Sequence, residues 1–255
     1  MRLPPTLVDG VLLERENRFR ARVRTAAGDV LAFVPNPGRT LELLYPGARV
    51  LLAPVAMGGQ RRTAYDLILA YTADGLLVSI DTRLASPLFA EAVAAGRLAP
   101  FVGYAVTRPE VTFGASRLDF RLDGASCPPL LVEVKSSTLV DDGVARWPDA
   151  PSLRGQRHIR ELAAALRQGY RAAIVWLVQR PDARIMTPHR AIDPPFAAAL
   201  EEVAAAGVEA YAFRCDVTRE RVEVVGEIGM FLNYPSACDR GPAGCDARQR
   251  PTGRS

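Results

Sequence analysis

The chain has 255 residues and a formal net charge of +4, with 49% hydrophobic and 24% charged residues. That length and mix suit a soluble protein with one large or two modest cores, and the mild basicity is compatible with a polyanionic partner. Four cysteines without a CxxC pair and only two histidines, His158 and His189, argue against a zinc site. The apolar run Ala172 to Val178 is too short to cross a bilayer.

The amino terminus, Met1-Arg2-Leu3-Pro4-Pro5, lacks a signal-peptide apolar core, so a cytoplasmic protein without membrane attachment is expected. Short apolar runs then follow at Leu7 to Leu13, Phe19 to Val23, Val30 to Val34, Arg49 to Ala53, Tyr65 to Tyr71 and Leu76 to Ile80. Turn signals such as Ala27-Gly28-Asp29, Tyr45-Pro46-Gly47 and Asp74-Gly75 separate them, which predicts a small β-barrel over residues 1–84. Ser86-Pro87 reads as the N-cap and first turn of a helix that Gly96 ends.

Residues 85–234 read as an α/β domain. Strands are expected at Val111 to Phe113, Arg117 to Leu122 and Leu130 to Lys135, followed by an irregular segment, Ser136 to Leu153. A helix with Ile159, Leu162, Ala163 and Leu166 on its apolar stripe leads to the continuous apolar strand Ala172 to Val178. Strand, helix and fully apolar strand predict a parallel crossover. A helix (Pro195 to Ala206) and strands at Glu209 to Phe213 and Arg221 to Val225 complete the domain. Residues 235–255, with Cys238 and Cys245, form a Pro/Gly/Arg-rich tail expected to be disordered.

Lys135 is the chain's only lysine among 32 basic residues. It ends Leu131-Val132-Glu133-Val134-Lys135, where alternation puts Glu133 and Lys135 on one strand face and Val132 and Val134 on the other. Asp119 lies on the preceding strand. Two carboxylates on adjacent strands, with a backbone carbonyl such as that of Val134, would suit Mg²⁺ or Mn²⁺, and an ammonium beside the ion would orient an attacking water. The same residues also read as solvated charges, with Asp119 paired to Arg117 or Arg121. The irregular segment leaves the same strand end as Lys135, so it is placed to cover or line the site.

Arg18, Arg20, Arg22 and Arg24 alternate with Phe19, Ala21 and Val23. On one strand face their spacing of roughly 6.5–7 Å is close to the phosphate repeat of an extended nucleic-acid strand. Neutralisation by Glu14, Glu16 or Glu42 is the competing reading. On the helix, Gln156 and His158 fall on opposite flanks of the apolar stripe, with Gln156 able to reach a metal-bound water or phosphate and His158 reading as a capping or packing residue. Glu110 is an additional acid or a surface residue.

These segments together resemble the bacterial sugar fermentation stimulation protein A (SfsA) family over roughly residues 2 to 232. The matching blocks are Arg18-Phe19, Pro35-Asn36 with Gly38, Pro46-Gly47, Asp81-Thr82, Gly114 to Arg117 leading to Asp119-Phe120, and Val132 to Ser136. Pro148-Asp149-Ala150, Arg154-Gly155-Gln156, His158 and Arg160-Glu161-Leu162 continue them. Pro37 stands where the family has a small polar residue, and the tail after Tyr234 has no counterpart. The resemblance implies an amino-terminal OB-like barrel and a restriction-endonuclease-like, PD-(D/E)xK, α/β domain with a mixed sheet flanked by helices. It also implies DNA as partner, homodimers being common among such nucleases; Arg18, Arg20 and Arg22, by their strand spacing, together with Asn36 and Arg154 are the expected nucleic-acid contacts. Asp119, Glu133, Lys135 and Gln156 would be the nuclease residues, with Asp119 and Glu133 holding the metal. The alternative function is a non-catalytic DNA-binding regulator of sugar (maltose) metabolism genes.

Overall fold

A computed structural model describes residues 1–56, 58 and 62–234, so the expectations for the tail and for Cys238 and Cys245 lie outside the described residues. Six strands form the amino-terminal sheet: β1 (Val8–Asn17), β2 (Arg20–Thr25), β3 (Gly28–Phe33), β4 (Arg49–Pro54), β5 (Tyr65–Tyr71) and β6 (Leu77–Ser79). Their order is β3-β2-β1-β4-β5-β6, and a parallel pairing of β3 with β5 closes five of them into a barrel. Closure removes the free edges that an open sheet of this length would expose. Leu12, Ala21, Val23, Ala32, Val50 and Leu67 fill the barrel.

A 3-10 turn (Thr82–Leu84) runs into α1 (Ala85–Ala94). Ser86 does not cap this helix: the N-cap position is Leu84, without a side-chain bond, and the Ser86 hydroxyl is used elsewhere. The remaining elements are β7 (Tyr104–Phe113), β8 (Ser116–Gly124), β9 (Cys127–Ser137), β10 (Val140–Asp141), β11 (Val144–Trp147), α2 (Leu153–Leu166), β12 (Arg171–Val178), β13 (Ile185–Pro188), α3 (Pro194–Ala205), β14 (Glu209–Val217) and β15 (Val222–Met230). All nine strands share one mixed sheet, ordered β10-β11-β13-β15-β14-β12-β9-β8-β7. As the apolar run predicts, β12 lies parallel to both β9 and β14 and is buried along its length. The segment 136–153 is not irregular: β10 and β11 form a hairpin that joins the sheet through β13.

Alternation along β9 sends its two faces into different cores. Val132 and Val134 pack with Phe89 of α1 and with Leu51 and Ile68 of the barrel, while Leu131 packs with Ile159 and Leu162 of α2. Each such side chain contributes about 1.5–3 kcal/mol of apolar burial. Alternation along β8 would put Leu118, Phe120 and Leu122 on one face; Phe120 and Leu122 do face the α1 side, but Leu118 crosses to the α2 side. The β8–β9 ladder ends at Phe120↔Val132, so the backbone is free to turn there.

Barrel and large sheet are bolted together by Gln179, which is fully buried. Its Oε1 accepts from Ser79 Oγ (2.9 Å), and its Nε2 donates to Ser136 Oγ (2.7 Å) and the Asp81 carbonyl (3.0 Å). Gln179→Ala leaves these groups facing a void, so it is expected to cost about 2–4 kcal/mol. Thermal unfolding followed by circular dichroism should show a midpoint lower by several degrees; an unchanged midpoint would show that the joint carries no stability.

Candidate metal centre

Where β8 parts from β9, the Asp119 side chain takes over the missing ladder bond: its Oδ2 accepts from Val134 N at 2.7 Å. Its Oδ1 receives only a long contact from Ser86 Oγ, 3.4 Å. Neither arginine in β8 neutralises it, because Arg117 pairs with Glu110 (3.5 Å) and Arg121 with Asp123 (3.0 Å). Burial, then the neighbouring charge of Glu133, push the Asp119 pKa up to about 6 despite the Val134 bond. Glu110 is exposed and distant in role, a surface partner of Arg117.

Glu133 is 3% exposed. Its Oε1 accepts from Lys135 Nζ and from His158 Nδ1, both in close contact. Burial pushes the carboxyl up, but the His158 bond and the Lys135 charge outweigh it and hold the pKa below the ordinary value. The other oxygen, Oε2, is buried and has no hydrogen-bond partner. Leaving a buried carboxylate oxygen unpaired is costly, and a cation is the partner that would satisfy it.

His158 is the residue that sequence reasoning undervalued. Arg154 Nε donates to its Nε2 at 3.3 Å, and a guanidinium N–H can only donate. The ring proton therefore sits on Nδ1 and points at Glu133. The signal was weak: a histidine on the flank of an amphipathic helix is ordinary, and only the seating of α2 on β9 turns it inward. Gln156 points the other way, donating to Asp193 Oδ1 (3.1 Å), which also caps α3. In this structure it ties two helices together rather than facing the carboxylates.

The segment after β9 does line the centre, as its position predicts. The Trp147 ring lies 5.7 Å from Lys135 Nζ and packs edge-on to Phe196 and Trp176. Beyond a cis Trp147-Pro148 bond, Asp149 accepts from Thr40 N of the barrel loop (3.3 Å). That loop is held by the Arg15 guanidinium, which donates to the carbonyls of Asn36, Gly38 and Arg39. Asn36 spends its amide inside the loop, donating to the Ile80 carbonyl and accepting from Gly38 N. Arg20 pairs with Glu16 (2.6 Å), Arg22 with Glu14 (2.5 Å) and Arg24 with Asp29 (3.1 Å), so the strand's arginines carry neutralising partners. Among the described residues Arg18 has no ion pair.

Among the described residues no group of three or more His, Cys, Asp or Glu side chains is arranged to hold a metal. Two carboxylates, Asp119 and Glu133, are what the protein offers. That fits Mg²⁺ or Mn²⁺, which keep several waters and bind through one or two carboxylates with substrate phosphates. Among the described residues no helix is long and apolar enough to cross a membrane.

A family model described as the sugar fermentation stimulation protein RE domain matches residues 83–221, and one described as the SfsA N-terminal OB domain matches residues 13–80. A sugar fermentation stimulation protein homolog from Moorella thermoacetica is 46% identical over 230 residues, covering 90% of this chain and 99% of its own. Its counterpart from Symbiobacterium thermophilum is 48% identical over 234 residues, covering 86% and 93%. The solved structure of Pyrococcus furiosus SfsA in complex with Ca²⁺ is similar at 33% identity and a TM-score of 0.82, covering 91% of this chain and 98% of that one. The closed barrel and the mixed α/β sheet are thus the OB and restriction-endonuclease-like parts of that architecture.

Proposed function

The chain belongs to the sugar fermentation stimulation protein family, and on that footing we propose that it is a divalent-cation-dependent nuclease acting on DNA. The observation that carries the reading is Glu133 Oε2, a buried carboxylate oxygen without a partner, on the strand next to Asp119 and two residues from the only lysine. That a relative holds Ca²⁺ supports a divalent ion in this family. Asp119 Oδ1 and Glu133 Oε2 would hold the cation. When bound, Mg²⁺ or Mn²⁺ supplies Lewis-acid stabilisation of charge on the phosphoryl oxygens.

The chain's own residues do the rest. His158 and Lys135 saturate Glu133 Oε1 and so leave Oε2 as the oxygen available to a cation. Lys135, 13% exposed at its side chain, is the ammonium placed to orient a water toward the phosphorus. In the hydrolysis, water oxygen bonds to phosphorus and one phosphorus–oxygen ester bond breaks. One water proton goes to the departing oxygen and the other to solvent. A second reading, a DNA-binding regulator without turnover, draws on the same two contacts to Oε1, which already neutralise the carboxylate.

A cleavage assay decides between them. End-labelled single-stranded and duplex DNA, and RNA, are incubated with the full chain in Mg²⁺, Mn²⁺ or EDTA. Cleavage is expected with either ion and none in EDTA, slowed about 10²–10⁴-fold by Lys135→Ala and nearly as much by Lys135→Arg. Equal cleavage in EDTA, or no cleavage of any substrate with either ion, overturns the nuclease.

A further inference from the structure

Outside the metal centre, the β1–β2 turn and the outer face of β3 carry exposed apolar surface that the barrel does not need. Leu31 is 38% exposed and Phe19 46%. Single exposed apolar residues are ordinary on any surface. Here the rings are arranged: Phe19 lies nearly parallel to Phe33, with centroids 6.1 Å apart and an angle of 16° between the ring planes. The Arg83 guanidinium sits over the Phe33 ring at 5.9 Å. Each member is held in place. Phe19 N donates to Asn17 Oδ1 (2.9 Å) and its carbonyl accepts from Val34 N (2.9 Å). Arg83 donates to both oxygens of Asp81 and to Asp66 (2.6–2.8 Å).

We propose that Phe19, Phe33 and Arg83 form a stacking platform for unpaired bases, which makes the barrel a single-strand grip rather than a duplex clamp. This rests on the nucleic-acid reading above and narrows its substrate. Flat π-surfaces accept any base, at about 1–3 kcal/mol per stacked base, but a duplex has already buried its base faces in its own stack. Apart from Arg18, the arginines along this face are paired with Glu14, Glu16, Asp29, Asp66 and Asp81, so affinity here comes from rings more than from unpaired charge. The platform also leads to the carboxylates. Arg83 is three residues from Ser86, whose hydroxyl contacts Asp119.

The test is fluorescence anisotropy in EDTA, where cleavage is off, with labelled oligothymidylate and a mixed-sequence duplex of equal length. The full chain should bind the single strand more tightly than the duplex. Phe19→Ala should weaken single-strand binding at least about fivefold at an unchanged melting temperature. Phe19→Trp should keep the affinity, and the introduced indole should be quenched as oligothymidylate is added. Equal binding by Phe19→Ala, or a preference for duplex, overturns the platform while leaving cation-dependent cleavage to stand. Absence of any oligonucleotide binding by the wild type overturns the platform and the nucleic-acid reading together.

Discussion

Glu133→Gln is expected to lower cation-dependent DNA cleavage by about 10³-fold or more and to lower the melting temperature of the metal-free protein as well. The first effect follows from Oε2, which loses the charge that would hold the ion. The second follows from the contacts to Oε1. Because the His158 bond and the Lys135 charge, working against burial, hold the Glu133 pKa below its ordinary value, the ionised form stabilises the fold. That contribution is fully present above the unfolded value of about 4.5 and fades as pH falls through the folded one.

With glutamine in place, His158 still finds an oxygen, but the Lys135 ammonium, mostly buried, loses its counter-charge. An uncompensated buried charge costs roughly 2–4 kcal/mol here, with Asp119 nearby to soften it. Adding Lys135→Met to Glu133→Gln should therefore recover stability without recovering cleavage. Differential scanning calorimetry in EDTA, beside the cleavage assay, checks both halves. A Glu133→Gln protein that melts as the wild type does would mean the Lys135 and His158 contacts are not the restraint described.

How far the site was legible from sequence depends on how local each contact is. Glu133 and Lys135 share a face because strands alternate, which needs no tertiary information. The same alternation placed Leu118 with Phe120 and Leu122, and there it failed. The β8–β9 ladder ends at Phe120↔Val132, and a strand released from its partner need not keep its pleat. That release lets Asp119 reach Val134 N, so the local rule breaks where the site is built. His158 was visible as a flank residue of α2, but which flank meets β9 depends on how the helix sits on the sheet.

The large architecture was legible for a similar reason. Barrel strands, the buried strand β12 and the helices all announce themselves by period and punctuation. The missed strand β13 has four residues and ends on Pro188, too short to show a period. The hairpin β10–β11 hid in a segment rich in turn residues and became ordered only by pairing with β13. Ser86 shows the opposite failure: a residue type favoured at helix starts was read as a cap, whereas its hydroxyl meets Asp119.

Asp119→Asn should abolish cation-dependent cleavage yet raise the melting temperature in EDTA at pH 7, the reverse of Glu133→Gln. Burial and the Glu133 charge push the Asp119 pKa up to about 6 from an unfolded value near 3.8. Between those two values the folded protein binds more protons than the unfolded one, so stability falls as pH rises from about 4 to 6. Above about 6 the whole penalty is present, on the order of 1–3 kcal/mol for this part-buried group. Asparagine carries no such penalty, and its side-chain oxygen can still accept from Val134 N. For a chain of this size the gain corresponds to several degrees. The difference between variant and wild type should vanish near pH 4. In the wild type, a cation must displace that proton below about pH 6, so Mn²⁺ affinity should fall roughly tenfold per pH unit there. Scanning fluorimetry at pH 4, 5 and 7, with EDTA or Mn²⁺, resolves each of these shifts. An Asp119→Asn protein that is less stable than wild type at pH 7 in EDTA would show that the ionised carboxylate is welcome in the empty site, and the crowding of the two acids would lose its role as the driving force for taking up a cation.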